Sequence, residues 1–373
     1  MLLQIVCANN KLQLRKWIRA NQSAIIRKSS CYLYNDNIYL GVLSHGLLDH
    51  LSSVELVTDP DLCVYRWCRS ELEDSCDFIY YESQAKVCTN GCNLDIAGQL
   101  VIRSFQPLTE MMLIVNLTPD SFSDGGKYEV NLATTLKTIE IGLQNGVTVI
   151  DIGAESTRPN AGYVSTEEEI KRLIPLLSRL ENLKDKYTFK ISLDSYKPET
   201  IRYFLAKVDI INDVSNKLDI SLIKELTDLG KQYVLMHSLT VPANPAINLA
   251  HNLDVTTELL EWFNTKIGEY QTNGVNVANV ILDIGIGFNK TSAQSWQILR
   301  NLAKFQDLPC EILIGHSRKS FLGLITSKTA SERDLETAII SNVIAQQNID
   351  YIRIHDYQSY LQINNVNNNL GRR

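Results

Sequence analysis

The sequence predicts an α/β fold from about residue 111 onward, because short apolar strands alternate there with amphipathic helices. Eight apolar segments have the length and composition of buried strands, and seven helical stretches separate them. This alternation over roughly 250 residues is typical of a (β/α)8 TIM barrel. An open, doubly wound sheet is the alternative. It is less favoured because no Gly-x-Gly-x-x-Gly motif follows any of the strands.

The elements follow one another in a regular order. The predicted strands are Met111–Leu117, Thr148–Gly153, Lys190–Ser195, Asp209–Ser215, Gln232–His237, Asn279–Ile284, Glu311–Ser317 and Tyr351–Asp356. The predicted helices are Asn131–Asn145, Thr166–Leu183, Pro198–Ala206, Ser221–Gly230, Asn252–Thr272, Ser292–Phe305 and Ser331–Gln347. A last helix, Tyr357–Ile363, is expected to be short, with a frayed Asn-rich tail that leaves the barrel wall thin.

Residues 1–105 lack this alternation. Their apolar segments are short (Leu2–Cys7, Ile38–Leu43 and Phe78–Tyr81), and no motif there carries recognisable chemistry. We therefore expect two domains: a small α+β or β-rich N-terminal module over residues 1–105, and the barrel over residues 106–373.

Composition and charge exclude several classes of protein. The chain has 373 residues, 45% of them hydrophobic and 21% charged, with a net charge of −6. This balance argues against a binder of nucleic acid or membrane surfaces, and no apolar run is long enough to cross a bilayer. A cytoplasmic location is expected. An organelle is the alternative, because no acidic residue precedes Asp36 and this acid-poor start resembles a transit peptide.

The cysteines are unevenly distributed. Seven of the eight lie before residue 93, and only Cys310 lies beyond it. Reduced thiols are expected in a large chain with no secretory signal at its start. A zinc site among the early cysteines is the alternative, but their spacings are not the usual ones.

Polar motifs follow the predicted strands, at the end where a TIM barrel places its active site. The first and richest of these motifs begins at Asn116 and joins a strand to a helix. The complete set is Asn116–Gly126, Asp151–Pro159, Asp194–Pro198, Asn212–Asp213, Met236–His237, Asp283–Phe288, Gly315–Ser320 and Arg353–Asp356. We expect these motifs to converge on one site.

The residue types in the motifs indicate a ligand. Asp194, Asn212 and Asp283 offer acceptors that suit a planar ring rich in N–H groups. Asn116 offers the kind of neutral oxygen that Mg²⁺ accepts when phosphates and waters complete its coordination. The donors suited to phosphate or carboxylate are Arg158, Arg318, Lys319, Arg353 and His355. Together these types predict a phosphorylated heterocycle with phosphate as the leaving group.

Other residues in the motifs have simpler interpretations. Asp151 and Asp356 are expected to cap the barrel rim, and Asp213 to form a salt bridge there. His237 is expected to be a hydrogen-bonded wall residue rather than a base. Glu155 is expected to brace its own loop.

The motifs resemble the successive signatures of the dihydropteroate synthase family, over about Met111 to Asp356. The segments that carry the resemblance are Asn116–Gly126, Glu155–Pro159, Asp194–Pro198, Asn212–Ser215, Leu235–His237, Asp283–Phe288, Ser317–Gly323 and Arg353–Asp356. Two departures are Asp283-Ile284-Gly285, where the family has Asp-Pro-Gly, and Asn216, where it has Gly. We expect both to be mild, because Ile holds a strand end and Asn tolerates a left-handed turn.

The resemblance implies a reaction in folate biosynthesis. A dihydropterin pyrophosphate loses pyrophosphate and alkylates the amine of p-aminobenzoate, with Mg²⁺ as cofactor, in an enzyme that sulfonamides target. The resemblance also implies small-molecule substrates and a homodimer. Two loops, Thr118–Tyr128 and Ala154–Ser165, are expected to close over the second substrate.

The resemblance assigns site residues by position. Pterin binding falls to Asp194, Asn212, Met236, Asp283 and Lys319. Pyrophosphate binding falls to Arg158, Arg353 and His355, and Mg²⁺ binding to Asn116. The p-aminobenzoate pocket falls to Phe122, Thr157, Pro159 and Ser320.

Two alternatives remain for the whole chain. A pterin-binding methyltransferase barrel shares the Asp/Asn/Asp set, but Glu155–Pro159 and Arg318-Lys319-Ser320 argue against it. A non-catalytic pterin binder is disfavoured because Asp194, Arg158 and Lys319 are all present. Members of the family are often fused to an upstream pyrophosphokinase. Residues 1–105 lack its expected acidic residues, so a degenerate or unrelated module is expected there.

Overall fold

The chain divides into two compact units, Met1–Leu108 and Thr109–Arg372. The computed structural model describes residues 2–8, 29–34, 38–44, 62–68, 109–117, 125–156, 162–244, 246–250, 254–347 and 349–369. Side chains are described from residue 109 onward, with the exception of residues 118–131, 157–161, 245, 251–253, 348 and 368–373.

The first unit contains a four-stranded antiparallel sheet. Its strands are β1 (Leu2–Ala8), β2 (Ser29–Tyr34), β3 (Ile38–Ser44) and β4 (Leu62–Cys68), in the spatial order β2-β3-β1-β4. The central strand β1 pairs with both β3 and β4. The predicted apolar run at residues 78–81 lies outside the described residues.

The second unit is a closed barrel of eight parallel strands, in the order β10-β11-β12-β5-β6-β7-β8-β9. These strands are β5 (Glu110–Asn116), β6 (Val147–Gly153), β7 (Lys190–Asp194), β8 (Ile210–Asp213), β9 (Gln232–Met236), β10 (Val280–Asp283), β11 (Glu311–Ile314) and β12 (Tyr351–Ile354). The TIM barrel prediction is confirmed, and the polar motifs begin where the strands end.

The helices surround this barrel. They are α1 (Gly125–Gln144), α2 (Thr166–Leu183), α3 (Pro198–Phe204), α4 (Ile220–Asp228), α5 (Val255–Thr272), α6 (Ser292–Arg300), α7 (Ser320–Thr326), α8 (Asp334–Ala345) and α9 (Tyr357–Asn369). Side-chain caps fix several of their starts. Ser165 accepts from the N–H of Glu168 in front of α2, and Thr291 and Gln294 form a capping box at α6.

Helices α1, α7 and α9 differ from the sequence prediction by six residues or more. Helix α1 begins six residues before the expected Asn131, and α7 was not predicted. The expectation of a short last helix was wrong, because α9 continues to Asn369. Its Tyr357 and Tyr360 are buried in the core, and Asn367 donates to Asn342 of α8 at 2.7 Å. These tertiary contacts outweigh the low helix propensity of the Asn-rich segment.

The barrel interior is closed at the N-terminal end of its strands. Seven strands each contribute one buried apolar residue to a central cluster: Met112, Val149, Ile210, Val234, Ile281, Leu313 and Tyr351. Below that cluster, Lys190 donates to Gln232 at 2.9 Å and to the Tyr351 hydroxyl at 3.3 Å. With this end filled, the opposite end of the barrel is left for a site. Among the described helices, none combines the length and apolar character needed to span a membrane.

Candidate active site

A cavity of about 840 Å³ lies at the C-terminal ends of the barrel strands. This volume is within the usual range for small-molecule sites. Six of the residues predicted for the site line its wall: Asn116, Asp194, Lys319, Ser320, Arg353 and His355. Within the described residues, six of the eight polar motifs contribute to this wall, and Asn212–Asp213 and Met236–His237 do not.

The guanidinium of Arg353 lies between two carboxylates. Its Nε donates to Asp151 at 2.6 Å, and its Nη2 donates to Asp194 at 2.5 Å. Asp151 also accepts from Ser192 at 2.6 Å and from Asn212 at 3.2 Å. Asp151 is therefore part of a buried polar cluster, and the expectation that it caps the rim was wrong. The period-2 pattern of β6 turns its side chain inward.

This cluster has perturbed electrostatics. Burial raises the pKa of Asp194 to about 7, and the neighbouring Asp151 adds to the rise, although Arg353 opposes it. Burial lowers the pKa of Arg353, but the two carboxylates outweigh burial and raise it above its ordinary value. The site thus holds a permanent cation beside a carboxyl group that titrates near neutral pH.

The remaining acceptors lie on adjacent strands. Asn212 is opposite Asp194 in the β7–β8 register, and Asp283 is opposite Met236 in the β9–β10 register. These three residues of β8, β9 and β10 are buried and are not among those that line the cavity wall. Burial raises the pKa of Asp283, and Lys319 opposes the rise.

Lys319 reaches the cavity from the start of α7. Its Nζ donates to the carbonyl of Ile286 at 2.6 Å and lies 4.1 Å from the centroid of the Phe288 ring. Burial lowers the pKa of Lys319 to about 8, against the charge of Asp283. Gly287 has φ +76°, and a Cβ there would lie 2.9 Å from the Lys319 side chain. The glycine therefore makes room for the Lys319 stem.

His355 is held by Ser317. The Ser317 hydroxyl lies 2.9 Å from His355 Nδ1 and accepts from the His355 backbone N–H at 3.2 Å. Because both residues line the cavity, this contact fixes the plane of the imidazole there. With Nδ1 engaged by a hydroxyl, Nε2 is the ring atom on the side away from Ser317.

Arg318 also lines the cavity, and it pairs with a carboxylate, one of the two acceptors predicted for it. It forms a bidentate ion pair with Asp334, at 2.6 and 2.8 Å. Its backbone has φ 58°, and Arg333 donates to the carbonyls of Arg318 and Lys319 at 3.0 and 3.2 Å. Arg318 therefore braces the loop that presents Lys319.

Lys290 is a cavity residue that the sequence analysis missed. Its Nζ donates to the carbonyls of Gly285 at 2.9 Å and Phe288 at 3.1 Å, and lies 3.0 Å from His237 Nδ1. Burial lowers the pKa of Lys290 to about 7. The available signal was a lysine two residues after the Asp283–Phe288 motif.

Four simpler interpretations can be compared with the structure. Burial, and then the charge of Lys290, lower the pKa of His237 to about 3, which fits a wall residue rather than a base. Asp356 caps α9 by accepting from Gln358 at 2.9 Å. Glu155 braces its loop by accepting from Val164 at 3.1 Å. The partners of Asp213 are the hydroxyls of Ser215 and Tyr233, so no salt bridge is seen for it among the described residues.

The structure tests the backbone conformation at Asn216 and Gly285, but it does not test four of the residues assigned to the site. Asn216 adopts φ 52°, which confirms the expected left-handed turn. Gly285 is strictly required, because a Cβ there would lie 2.1 Å from the carbonyl oxygen of His237. Phe122, Thr157, Arg158 and Pro159 lie outside the described residues, and their assignments stay predictions.

The donor set fits a weakly held divalent cation. Asn116 is exposed at the end of β5 and lines the cavity. Over the described part of the chain, no group of three or more His, Cys, Asp or Glu residues is arranged to hold a metal ion. A Mg²⁺ ion at Asn116 would therefore take most of its ligands from phosphate oxygens and water.

Comparison with known proteins gives the class of this barrel. The profile of the family described as "Pterin binding enzyme" matches residues 112–355, which span the barrel from β5 to the end of β12. The chain belongs to this family.

Individual proteins that resemble this chain have names that specify an activity. Dihydropteroate synthase of Escherichia coli K12 is 34% identical over 279 residues, which cover 74% of this chain and 93% of that protein. The folate synthesis bifunctional protein of Chlamydia muridarum is 31% identical over 361 residues, covering 93% of this chain and 80% of that protein. A structure of Xanthomonas albilineans dihydropteroate synthase with 4-aminobenzoic acid has a TM-score of 0.61 and 30% identity, covering 73% of this chain and 95% of that one.

Proposed function

We propose that this protein catalyses the condensation of 6-hydroxymethyl-7,8-dihydropterin pyrophosphate with p-aminobenzoate, giving 7,8-dihydropteroate and pyrophosphate. The observation that carries the proposal is the cavity itself: buried acceptors lie beneath it, and the cations Arg353 and Lys319 line its wall. This arrangement suits a ring rich in N–H groups that bears an anionic leaving group.

The pterin occupies the deep part of the site. Asp194, Asn212 and Asp283 accept from the ring N–H and amino groups, and Met236 forms an apolar wall. Lys319 donates to a ring acceptor from the opposite side. Burial of these groups strengthens each hydrogen bond and makes an unpaired one costly, so the site rejects rings without the matching pattern.

Arg158, Arg353 and His355 hold the pyrophosphate. In the structure, Arg353 contacts Asp194 and Asp151. Bound substrate therefore competes with this ion pair. The pterin replaces Arg353 as the donor to Asp194, and the pyrophosphate replaces the carboxylates as the acceptor of the Arg353 N–H groups. Charge-assisted bonds of this kind stabilise charge that develops on a leaving group.

The chemical step exchanges one bond for another. The C–O bond at the exocyclic methylene breaks with its electron pair on pyrophosphate, the amine lone pair forms the C–N bond, and the amine then loses a proton. Asn116 would hold a Mg²⁺ ion, which would supply positive charge to neutralise the phosphate oxygens. Phe122, Thr157, Pro159 and Ser320 form the p-aminobenzoate pocket, where they orient the amine and exclude water that would trap the methylene carbon.

The second substrate provides the test. The protein is incubated with the dihydropterin pyrophosphate, p-aminobenzoate and Mg²⁺, and the product is identified by mass, with each component omitted in turn. The proposal predicts dihydropteroate only in the complete mixture. Pyrophosphate release without the amine, and no dihydropteroate, would indicate a pterin pyrophosphatase instead.

The protein is a homodimer in this proposal. On α8 the side chains of Leu335, Ile339 and Val343 are spaced four residues apart and are 56, 49 and 47% exposed. A stripe with this spacing lies on one helix face, which a second copy of the chain would cover. Light scattering should give a mass twice that of the 42.2 kDa chain. The Ile339→Glu variant should have the mass of a single chain.

The proposal also covers the rest of the chain. The match to the Chlamydia muridarum protein covers 93% of the chain and therefore extends into the first 105 residues. Residues 1–105 form a separate module in this proposal, a reduced form of a fused folate-pathway domain, and residues 106–373 carry the synthase activity. The cytoplasmic location remains a prediction.

A further inference from the structure

Lys197 is a buried cation beside the cavity that the proposed chemistry does not use. It lies three residues after the end of β7, and its side chain is 7% exposed. Its Nζ donates to the carbonyl of Val164 at 2.5 Å and lies 2.8 Å from Glu155 Oε2 and 3.3 Å from Glu169 Oε2. Glu155 precedes residues 157–161, and Val164 follows them.

The two carboxylates extend this contact. Glu155 uses its other oxygen to accept from the Val164 N–H at 3.1 Å. Glu169, which is 1% exposed, belongs to α2 and accepts from Thr200 of α3 at 2.6 Å. The ammonium of Lys197 therefore ties both ends of the β6–α2 connection to the helix layer behind it.

A third contact involves the same connection. The ring of Tyr163 has its centroid 5.1 Å from Lys197 Nζ, although the Tyr163 side chain is 77% exposed. A cation at this distance attracts the face of an aromatic ring. Backbone, carboxylate and ring contacts at residues 155, 163 and 164 all meet at one Nζ atom.

We propose that Lys197 is a positioning residue, which fixes Glu155 and Val164 and so sets the cavity wall at Glu155 and Ser156 for the second substrate. The inference rests on the proposed function, which assigns Thr157 and Pro159 of the same connection to p-aminobenzoate. Both Glu155 and Ser156 line the cavity, whereas Lys197 is not among the lining residues. Misplacement of such a wall costs rate even without the loss of a direct substrate contact.

The test uses three variants and one matched control. Lys197→Met removes the ammonium and keeps the stem, and Lys197→Arg keeps the charge. The double variant Lys197→Met/Glu169→Gln removes one buried carboxylate with the ammonium, and it serves as the test protein if the single variant does not fold. Lys190→Met is the control. Lys190 begins the strand that Lys197 follows and bonds Gln232 and Tyr351 at the opposite end of the barrel.

Each protein is measured in three ways. Loss of the Lys197 ammonium should raise the KM for p-aminobenzoate about tenfold or more while the Kd for 6-hydroxymethylpterin alone stays within about twofold. Chymotrypsin should cleave after Tyr163 about fivefold faster or more, because the backbone there loses a tether. Lys197→Arg should recover most of both effects, and Lys190→Met should change neither.

The outcomes separate this inference from the proposed function. A folded Lys197→Met or double variant with wild-type KM and wild-type cleavage would overturn the inference. So would a loss of pterin affinity equal to the change in KM. Chymotryptic cleavage needs no substrate, so faster cleavage in a protein whose wild type makes no dihydropteroate would support the anchor and refute the function. If the wild type forms dihydropteroate but the Lys197 variants show unchanged cleavage and KM, the proposed function is supported and the role of Lys197 is refuted.

Discussion

Replacement of Lys319 by Met should remove one charged contact from the centre of the site and little else. The Lys319 stem packs on Gly287, and Met retains most of that packing. The lost Nζ atom donates to the Ile286 carbonyl at 2.6 Å and lies 4.1 Å from the Phe288 ring centroid. Burial lowers the pKa of Lys319 to about 8, so about nine-tenths of the molecules carry this charge at pH 7.

The expected cost follows from that charge. Loss of a buried cation contact should remove about 2–4 kcal/mol of transition-state stabilisation, which lowers kcat/KM roughly 30- to 900-fold. Lys319 also opposes the rise in the pKa of Asp283, so its removal further disfavours the ionised Asp283 that is proposed to accept from the pterin. Stability should change less, because the lost hydrogen bond to Ile286 is offset by relief of a buried charge.

The assay is steady-state kinetics with the dihydropterin pyrophosphate as the varied substrate, beside thermal unfolding of each variant. Wild-type activity should fall above pH 8 as Lys319 loses its proton, and Lys319→Met should lack that decline. Lys328→Met is the control, because Lys328 forms an ion pair with Glu336 at 2.7 Å outside the cavity lining. A folded Lys319→Met protein with kcat/KM within about threefold of wild type would refute the reasoning.

Three further predictions test other parts of the site. A chelator should abolish activity without unfolding the protein, and Asn116→Ala should raise the Mg²⁺ concentration needed for half-maximal rate; full activity in chelator would contradict this role. Pterin affinity, measured by calorimetry, should fall about tenfold per pH unit below 7 as Asp194, whose pKa is raised to about 7, gains a proton. Asp194→Asn should bind weakly with no such slope, and an unchanged slope would exclude Asp194 as its source. A truncated protein of residues 106–373 should keep synthase activity, and a folded but inactive product would show that the N-terminal module contributes to the site.

The sequence was sufficient to predict the barrel and the position of the cavity at the strand ends. Each strand is an apolar run that stops at a polar motif, and parallel strands bring such motifs to one end. Asp194, Lys319 and His355 reached the cavity wall for this reason. Seven of the eight strand ends were predicted one to three residues too late, as at Ser317, which follows the end of β11 at Ile314.

The functions of individual cations were harder to predict. Arg318 and Lys319 are adjacent, chemically similar and both line the cavity, yet the Arg318 guanidinium pairs with Asp334 while the Lys319 ammonium lies beside the Phe288 ring. The difference comes from the left-handed backbone at Arg318, at φ 58°, which residue type alone does not reveal. Lys290 was missed because most of its hydrogen-bond partners are backbone carbonyls, which leave no pattern in the sequence.

The helix boundaries failed for a different reason. Asn-rich segments have low helix propensity, so α9 was expected to end at Ile363. Its continuation to Asn369 depends on burial of Tyr357 and Tyr360 and on the contact of Asn367 with α8. Such tertiary contacts are specified by residues distant in the chain, and periodicity does not report them.

Calorimetric titration with 6-hydroxymethylpterin tests the central claim most directly, because this ligand carries the ring without the phosphates. The account predicts one binding event per chain in the wild-type protein, weakened about 100-fold or more by Asp283→Asn or Asn212→Ala. Asp350→Asn, at a buried carboxylate that accepts from Ile312 at the closed end of the barrel, should bind as wild type does. Pterin binding that survives both substitutions would contradict the account, because the ring would then lie somewhere other than at the C-terminal ends of the barrel strands.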